Sequence, residues 1–392
     1  MTLPTDSKRT LGVGLLGSKF MGRAHSNAYA QVAKFFDPAI LPVQRLICAR
    51  DQDELREFAR VWGWERTTAD WKELCSDDAI DLVDVATPNH LHAEPAIAAL
   101  AAGKHVACEK PLARTLDEAR AMRDAAQAAA GKTFVWFNYR RCPAIGLARA
   151  LVREGRLGQI YHVRAQYLQD WGGPETPRSW RFEKRLAGSG AHGDLNAHAI
   201  DLARFVTGEE FTEVHGAVAK TFHKERPDPA NPDPLNGAKL PSDVDDALLF
   251  TASLTGGAAC SFEASRVAGP HQNGLALELD GEKGSLRFEF ENMNLLQFCD
   301  HSDGRREGGW RRIIATSAGD HPYVANWWPD AHLIGYEHGF TNTVADLLRV
   351  LEGEQPEVPL ADFAEAYECQ RVLEAASLAA EESRPVSLSE CV

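Results

Sequence analysis

A chain of 392 residues with 44% apolar content is too long for one ordinary domain and supports two, each with its own core. Its formal net charge of -14 excludes the basic footprint that nucleic-acid binding requires. No run approaches the roughly 18 apolar residues of a membrane span.

The polar start, Met1 to Thr10, leads straight into a strand-like segment and does not read as a signal peptide. Leu11 to Gly17 predicts a short strand entering a glycine turn, followed by a helix from Arg23 to about Lys34. That order gives a phosphate-binding reading to the turn, whose backbone N–H groups and helix N-terminus suit a pyrophosphate. Read as G-x-G-x-x-G, Gly17 and Gly22 match but Lys19 takes the middle place, so its side chain is expected to turn outward, with its ammonium near the phosphates.

Arg45 to Ala49 is a second strand, and Asp51 with Glu54 caps a helix that ends near Gly63. Ile80 to Ala86 is a third strand, leading into Thr87-Pro88-Asn89-His90-Leu91-His92. A helix over Ala93 to Ala102 precedes the apolar run Val106-Ala107-Cys108, which stops at Glu109-Lys110-Pro111. Thr115 and Glu118 cap the next helix, which ends at Gly131, and Thr133 to Phe137 is a fifth strand. Strands alternating with helices predict a doubly wound parallel sheet over residues 1–138. Cys48, Cys108 and Cys260 lie inside apolar strands, and with no C-x-x-C pair the eight cysteines read as buried thiols of a cytoplasmic protein.

Residues 139–392 read differently. A helix that Pro143 starts is followed by Tyr161 to Leu168, Val214 to Phe222, Ala247 to Leu254, Ala258 to Ser265, Leu275 to Leu279, Ser285 to Phe290 and Leu295 to Phe298. Strands at this spacing, with few helices between, predict a large and mostly antiparallel sheet in an α+β domain. Pro227 to Pro241 reads as an exposed loop, and helices over Gly335 to Glu352 and Leu360 to Glu381 close the chain, packing back on the first domain.

Two stretches carry chemistry. Lys110 leaves the carboxyl end of a buried parallel strand, where open α/β sheets bind ligands, and a lysine in such a crevice serves as general acid or base when burial or a neighbouring positive charge brings its pKa towards neutrality. Asp194 and His198 stand four apart on a helical stretch, with Asp201 three further along the same face; a carboxylate one turn away can hold the imidazole and raise its pKa, the alternative being a first-turn aspartate favoured by the helix dipole and a histidine on a solvated face. A metal site from His192, Asp194 and His198 is disfavoured, because three ligands this close on one helix rarely surround an ion. His90 and His92 read first as loop polar residues.

These motifs, in this order, resemble the glucose-fructose oxidoreductase, inositol dehydrogenase and rhizopine-catabolism family of NAD(P)-dependent sugar oxidoreductases. Gly17 to Gly22 followed by Arg23-Ala24-His25 is similar to its cofactor loop, Thr87-Pro88-Asn89 with His92 to its T-P-N-x-x-H turn, Glu109-Lys110-Pro111 to its lysine signature, and Asp194 with His198 to its D-x-x-x-H pair. Tyr167 to Trp171, Ser179 to Phe182 and the insertion before Arg45 resemble its levoglucosan-oxidising branch. The resemblance implies an N-terminal Rossmann domain, a C-terminal open-faced sheet through which relatives form dimers or tetramers, and Lys110, Asp194 and His198 as the catalytic set.

On this reading the cofactor is held by Gly17, Ser18, Lys19, Phe20, Met21, Gly22, Ala49, Arg50, Thr87, Pro88, Asn89, His92, Glu109, Lys110, Asn138, Trp180 and Arg181. Tyr139, Arg140, Gln169, Asp170, Trp171, His192, Asp194 and His198 are expected to grip the sugar, with Trp171 and Trp180 as flat apolar faces for a pyranose. Ala49 falls where an NAD enzyme carries its ribose-binding acid, and Arg50 beside it tilts the expectation towards NADP, unless Asp51 takes the ribose role. The expected reaction is hydride transfer between nicotinamide and a ring hydroxyl, at C3, of a neutral pyranose, anhydrosugar or polyol. Arg140, Arg141 and Arg181 leave a carboxylate-bearing sugar open. Two rivals remain: a glycoside hydrolase of the same fold that oxidises C3 transiently, and a non-catalytic regulator that binds sugar or cofactor.

Overall fold

The computed structural model describes residues 8–231, 237–317, 319 and 321–392. The first seven residues, and 232–236 of the predicted exposed loop, lie outside the described residues.

The first half contains β1 (Arg9–Leu16), α1 (Phe20–Phe35), β2 (Ile40–Cys48), α2 (Gln52–Trp62), β3 (Arg66–Thr68), α3 (Lys72–Ser76), β4 (Leu82–Val85), α4 (Ala93–Ala101), β5 (His105–Cys108), α5 (Leu116–Ala128) and β6 (Thr133–Val135). All six strands pair in parallel, in the order β3-β2-β1-β4-β5-β6. A parallel sheet is covered on both faces, which explains the unbroken apolar runs: Val106, Ala107 and Cys108 are at most 1% exposed. Burying Val106 alone contributes about 1.5–3 kcal/mol.

The Asp51 carboxylate accepts the N–H groups of Asp53 and Glu54 at the start of α2, which Gly63 ends at a φ of 81°. Thr115 caps α5 by accepting the Glu118 N–H. Three details differ from the sequence reading. The predicted insertion before Arg45 is the first half of β2, where Leu41 and Pro42 pair beside Thr10 and Leu11. α1 begins at Phe20 rather than Arg23. β3 and α3 are too short to leave a periodic signal.

The second half runs α6 (Pro143–Arg153), β7 (Ile160–Leu168), α7 (Lys184–Ala187), α8 (Ala197–Thr207), β8 (Phe211–Lys220), β9 (Glu225–Pro227), β10 (Lys239–Pro241), β11 (Ala247–Leu254), β12 (Ala259–Ser265), β13 (Gly274–Gly281), β14 (Gly284–Glu289), β15 (Leu295–Asp300), β16 (Arg311–Ile314), α9 (Val324–Trp327), α10 (Tyr336–Glu352), α11 (Phe363–Glu382) and β17 (Val386–Ser387). A nine-stranded sheet has the order β16-β15-β14-β13-β7-β12-β11-β8-β17 and is antiparallel except between β7 and β12. Along β11, Leu248, Phe250, Ala252 and Leu254 are buried while Leu249 and Thr251 are exposed, the alternation of a sheet covered on one face. β9 and β10 form a separate small hairpin at the ends of the predicted loop.

α10 returns to the first sheet. Its Phe340, Val344 and Leu348 share a core with Val13, Leu15 and Tyr29. β1 lies between β2 and β4, so the strand order reverses there and a crevice opens at the carboxyl ends of the parallel strands.

Candidate active site

The turn after β1 opens this crevice. Gly17 has a φ of +115°, and a Cβ there would stand 2.4 Å from the Ala86 carbonyl oxygen; one on Gly22 would meet the Gly17 oxygen at 2.3 Å. Glycine is therefore required where β1, β4 and α1 converge. Lys19 makes no side-chain cap on α1 and no acid stands in its first turn, so the helix N-terminus suits an anion. A dinucleotide pyrophosphate fits these features.

Ser18, Phe20 and Met21 complete the loop, and Phe20 is 62% exposed at its rim. Lys19 does turn outward, but its ammonium lies 2.6 Å from Glu54. At the end of β2 the Ala49 N–H donates to the Thr68 oxygen, Arg50 is exposed, and Asp51 is engaged as the cap of α2. Pro88 opens a single helical turn over Asn89–Leu91, in which Thr87 Oγ1 donates to the Leu91 oxygen and Asn89 Nδ2 to the Ala187 oxygen.

Lys110 lines a cavity of about 250 Å³ together with Glu109, Asn138, Tyr139, Gln169, Trp171, Arg181, Asp194 and His198. Its Nζ donates to the Asp194 carboxylate at 2.9 Å and to the Asp194 carbonyl at 2.8 Å. The second carboxylate oxygen of Asp194 accepts Nη2 of Arg266 at 3.0 Å. Burial would push this carboxyl up, but the positive charges of Lys110, Arg266 and Arg181 hold it well below the usual carboxylate range.

His198 behaves otherwise than expected. Burial, and then the Lys110 charge, hold it well below the usual imidazole range; the Asp194 charge opposes this without outweighing it. The ring is neutral at pH 7, so one nitrogen donates and the other accepts. Nδ1 is buried without a protein partner, and the ring packs edge-on against Tyr139 at 4.5 Å.

Several predicted residues lie elsewhere. Arg140 is 2% exposed and turned from the cavity, with Nε 3.0 Å and Nη2 2.5 Å from Asp201 and Nη2 3.0 Å from Glu365. Asp201 therefore does not share the working face of Asp194. The chain makes a wide π turn over His192–Asn196, which rotates α8 relative to the residues before it. His192 points to the opposite side of that turn, where Nε2 meets the Leu373 oxygen at 2.8 Å and Nδ1 meets Asn196.

His92 is fully buried and braces two turns, Nε2 on the Thr87 oxygen and Nδ1 on those of Pro111 and Leu112, so it ties the segment after β4 to the segment after β5. Asp170 is exposed, following the outward step of the chain after β7. Trp180 stays outside the cavity lining and stacks under the Arg181 guanidinium at 4.4 Å.

The sequence reading missed Arg266, which follows β12 directly and is 1% exposed. A charged residue at the end of an apolar strand was the available signal, the same one that exposed Lys110. It also missed Tyr167 and Tyr336 in the lining. Tyr167 joins Tyr139 at 2.8 Å and donates to Asn273 at 2.6 Å; Asn273 also accepts Gln169, whose oxygen accepts Trp171 Nε1 at 2.6 Å. This chain of hydrogen bonds fixes one wall of the cavity, and only the fold brings β7 and Asn273 together.

Residues 11–137 match the oxidoreductase family with NAD-binding Rossmann fold, and residues 145–287 match the GFO/IDH/MocA C-terminal domain. The chain is 44% identical to the levoglucosan dehydrogenase of Pseudarthrobacter phenanthrenivorans over 355 residues, 86% of this chain and 90% of that one. Among solved structures, an oxidoreductase domain protein from Kribbella flavida superposes with a TM-score of 0.91 at 48% identity, covering 97% of this chain and 99% of that one. A levoglucosan dehydrogenase in complex with NADH and levoglucosan superposes with a TM-score of 0.90 at 40% identity, covering 97% and 100%. With both halves matched and the glycine turn, lysine strand and Asp194–His198 pair in one crevice, the chain belongs to the GFO/IDH/MocA family of oxidoreductases with an NAD-binding Rossmann domain.

Proposed function

We infer that this oxidoreductase removes hydride from C3 of a neutral pyranose or anhydrosugar. The observation that carries the reading is the Lys110 ammonium on the Asp194 carboxylate beside a neutral His198, at the mouth of a dinucleotide-binding crevice. When bound, nicotinamide supplies the hydride acceptor. The C–H bond gives up its electron pair, the hydroxyl oxygen forms the carbonyl, and its proton passes to a protein base. Lys110 is that base once its ammonium has released a proton to solvent, Asp194 continues to accept from its Nζ, and His198 orients the hydroxyl by donating or accepting through its neutral ring.

The neutral substrate is supported by where the arginines lie. Arg140 is engaged by Asp201, and Arg141 by Asp346 at 3.1 Å, both buried. Arg181 lines the cavity, while Asp194 contributes a negative charge. Tyr139, Tyr167, Gln169 and Trp171 offer the fixed polar groups and flat faces that a multi-hydroxyl ring requires, because each polar group that a wrong sugar leaves unpaired weakens its binding. The relative bound to levoglucosan supports an anhydropyranose. In a screen of sugars with both oxidised dinucleotides, neutral pyranoses should give the highest kcat/KM. Sugar acids or phosphates turning over at least about tenfold better would overturn the assignment.

The charge around α2 revises the lean towards NADP. Asp51, Asp53 and Glu54 crowd the turn after β2, while Lys19 is paired with Glu54 and Arg56 with Asp53. An added phosphate on the adenosine ribose would meet these carboxylates, so NAD is the preferred form, in keeping with relatives solved with NADH. A kcat/KM for NAD at least about tenfold above that for NADP is expected; the reverse order would restore Arg50 as a phosphate anchor.

The uncovered face of the nine-stranded sheet supports self-association. Val218 is 52% and Leu249 42% exposed there, beside a groove of about 610 Å³. On this proposal a second copy of the chain covers the face, in a dimer or tetramer. Light scattering that gives a monomer mass at micromolar concentration would exclude it.

A further inference from the structure

A buried charged cluster sits directly behind the lysine. His25, on α1, is fully buried, with Nδ1 3.0 Å from Asp84 on β4 and Nε2 3.0 Å from Glu109 at the end of β5. Trp136 stacks on the ring at 4.0 Å and Phe340 packs at 5.7 Å. Asp84 is completed by the Tyr29 hydroxyl and by Trp136 Nε1, each at 2.9 Å. The other oxygen of Glu109 accepts the Lys110 backbone N–H at 3.1 Å.

Carboxyl oxygens at both ring nitrogens suit an imidazolium, which donates from both. Burial alone would lower its pKa, but Asp84 and Glu109 outweigh it and raise the ring to about 9. The stabilisation from this charge is complete below the usual value of 6.5 and is lost as pH rises through about 9. The other titratable groups facing the cluster are Tyr29 and Cys108, with Tyr336 and His92 on the Glu109 side. Apolar side chains would fill such a space at no electrostatic cost, so a buried ion cluster one residue from Lys110 calls for a functional reason.

We propose that His25 is a positioning residue: it clamps Glu109 between its ring and the Lys110 amide, and thereby fixes the direction in which the lysine leaves β5 towards Asp194. Glu109 lines the cavity, so the clamp also shapes the wall next to the reacting groups. The inference rests on the reading of Lys110 as the proton-exchanging group.

Two substitutions separate a clamp on Glu109 from mere filling of the core. In His25→Gln the amide nitrogen reaches the place of Nε2 and still donates to Glu109; in His25→Asn it reaches only the place of Nδ1 and donates to Asp84. The clamp predicts a kcat lowered at least about tenfold in His25→Asn, a sugar KM within about threefold of wild type, and recovery of most of the loss in His25→Gln. Equal losses in the two variants, or wild-type kcat in both, would overturn it.

The wild-type protein supplies a test that survives misfolding of either variant. With histidine labelled by ¹⁵N, the ring assigned through its contact with the Trp136 indole should show two N–H signals at neutral pH and lose one near pH 9. A ring whose Nε2 carries no hydrogen at pH 7 would refute the clamp. This arm involves no turnover, so failure of the Lys110 reading in Lys110→Met and failure of the clamp are told apart.

Discussion

Lys110→Met is expected to lower kcat/KM by more than about a hundredfold while leaving dinucleotide affinity within about twofold of wild type. Methionine keeps the length and apolar stem of the lysine but has no proton to exchange. Asp194 then loses Nζ and keeps Arg266 at 3.0 Å, so the carboxylate stays charged and the cavity wall stays in place. The dinucleotide loop depends on Gly17 and Gly22, which the close approach of β1, β4 and α1 requires. A variant retaining more than about a hundredth of wild-type kcat/KM would show that the proton leaves by another group, and His198 would be the first to examine.

Arg140→Met is expected to act on stability instead. Asp201 is 1% exposed, and removing Arg140 leaves its carboxylate buried with no partner of equal quality. Breaking one side of a buried ion pair costs about 3–5 kcal/mol, which should appear as a large fall in the urea midpoint. Arg140→Met with Asp201→Leu should recover much of the loss, since the pair is then replaced by apolar packing. The sugar KM of the folded variant should be unchanged, because the guanidinium faces Asp201 and Glu365. A KM raised about tenfold with an unchanged midpoint would return Arg140 to the substrate.

The contrast between these two residues shows what a sequence reveals. Lys110 was legible because an apolar strand that ends on a charge has few explanations, and the parallel sheet assigns the place where such a strand ends. The glycine turn, the caps at Asp51 and Thr115, and the alternating strands of the second sheet are local patterns of the same kind. Arg140 follows a strand as well, but its direction depends on α8 bringing Asp201 to it, which no local pattern records.

The π turn at His192–Asn196 had the same effect on the second motif. A regular helix would align Asp194, His198 and Asp201, whereas the wide turn leaves Asp194 with Lys110 and sends Asp201 into the core. Arg266 ends an apolar strand and so left a local signal, but its role, like that of the His25 cluster, is not local. Each is defined by partners from distant segments: Asp194 and Arg181 for the first, Asp84 and Glu109 for the second.

The central claim is net hydride transfer from a sugar carbon, and an anhydropyranose deuterated at C3 tests it in one assay. Incubated with oxidised dinucleotide and wild-type protein, it should yield one equivalent of deuterated reduced dinucleotide for each ketone formed, and Lys110→Met should yield neither. Consumption of the sugar without accumulation of reduced dinucleotide, or reduced dinucleotide carrying no deuterium, would contradict the account.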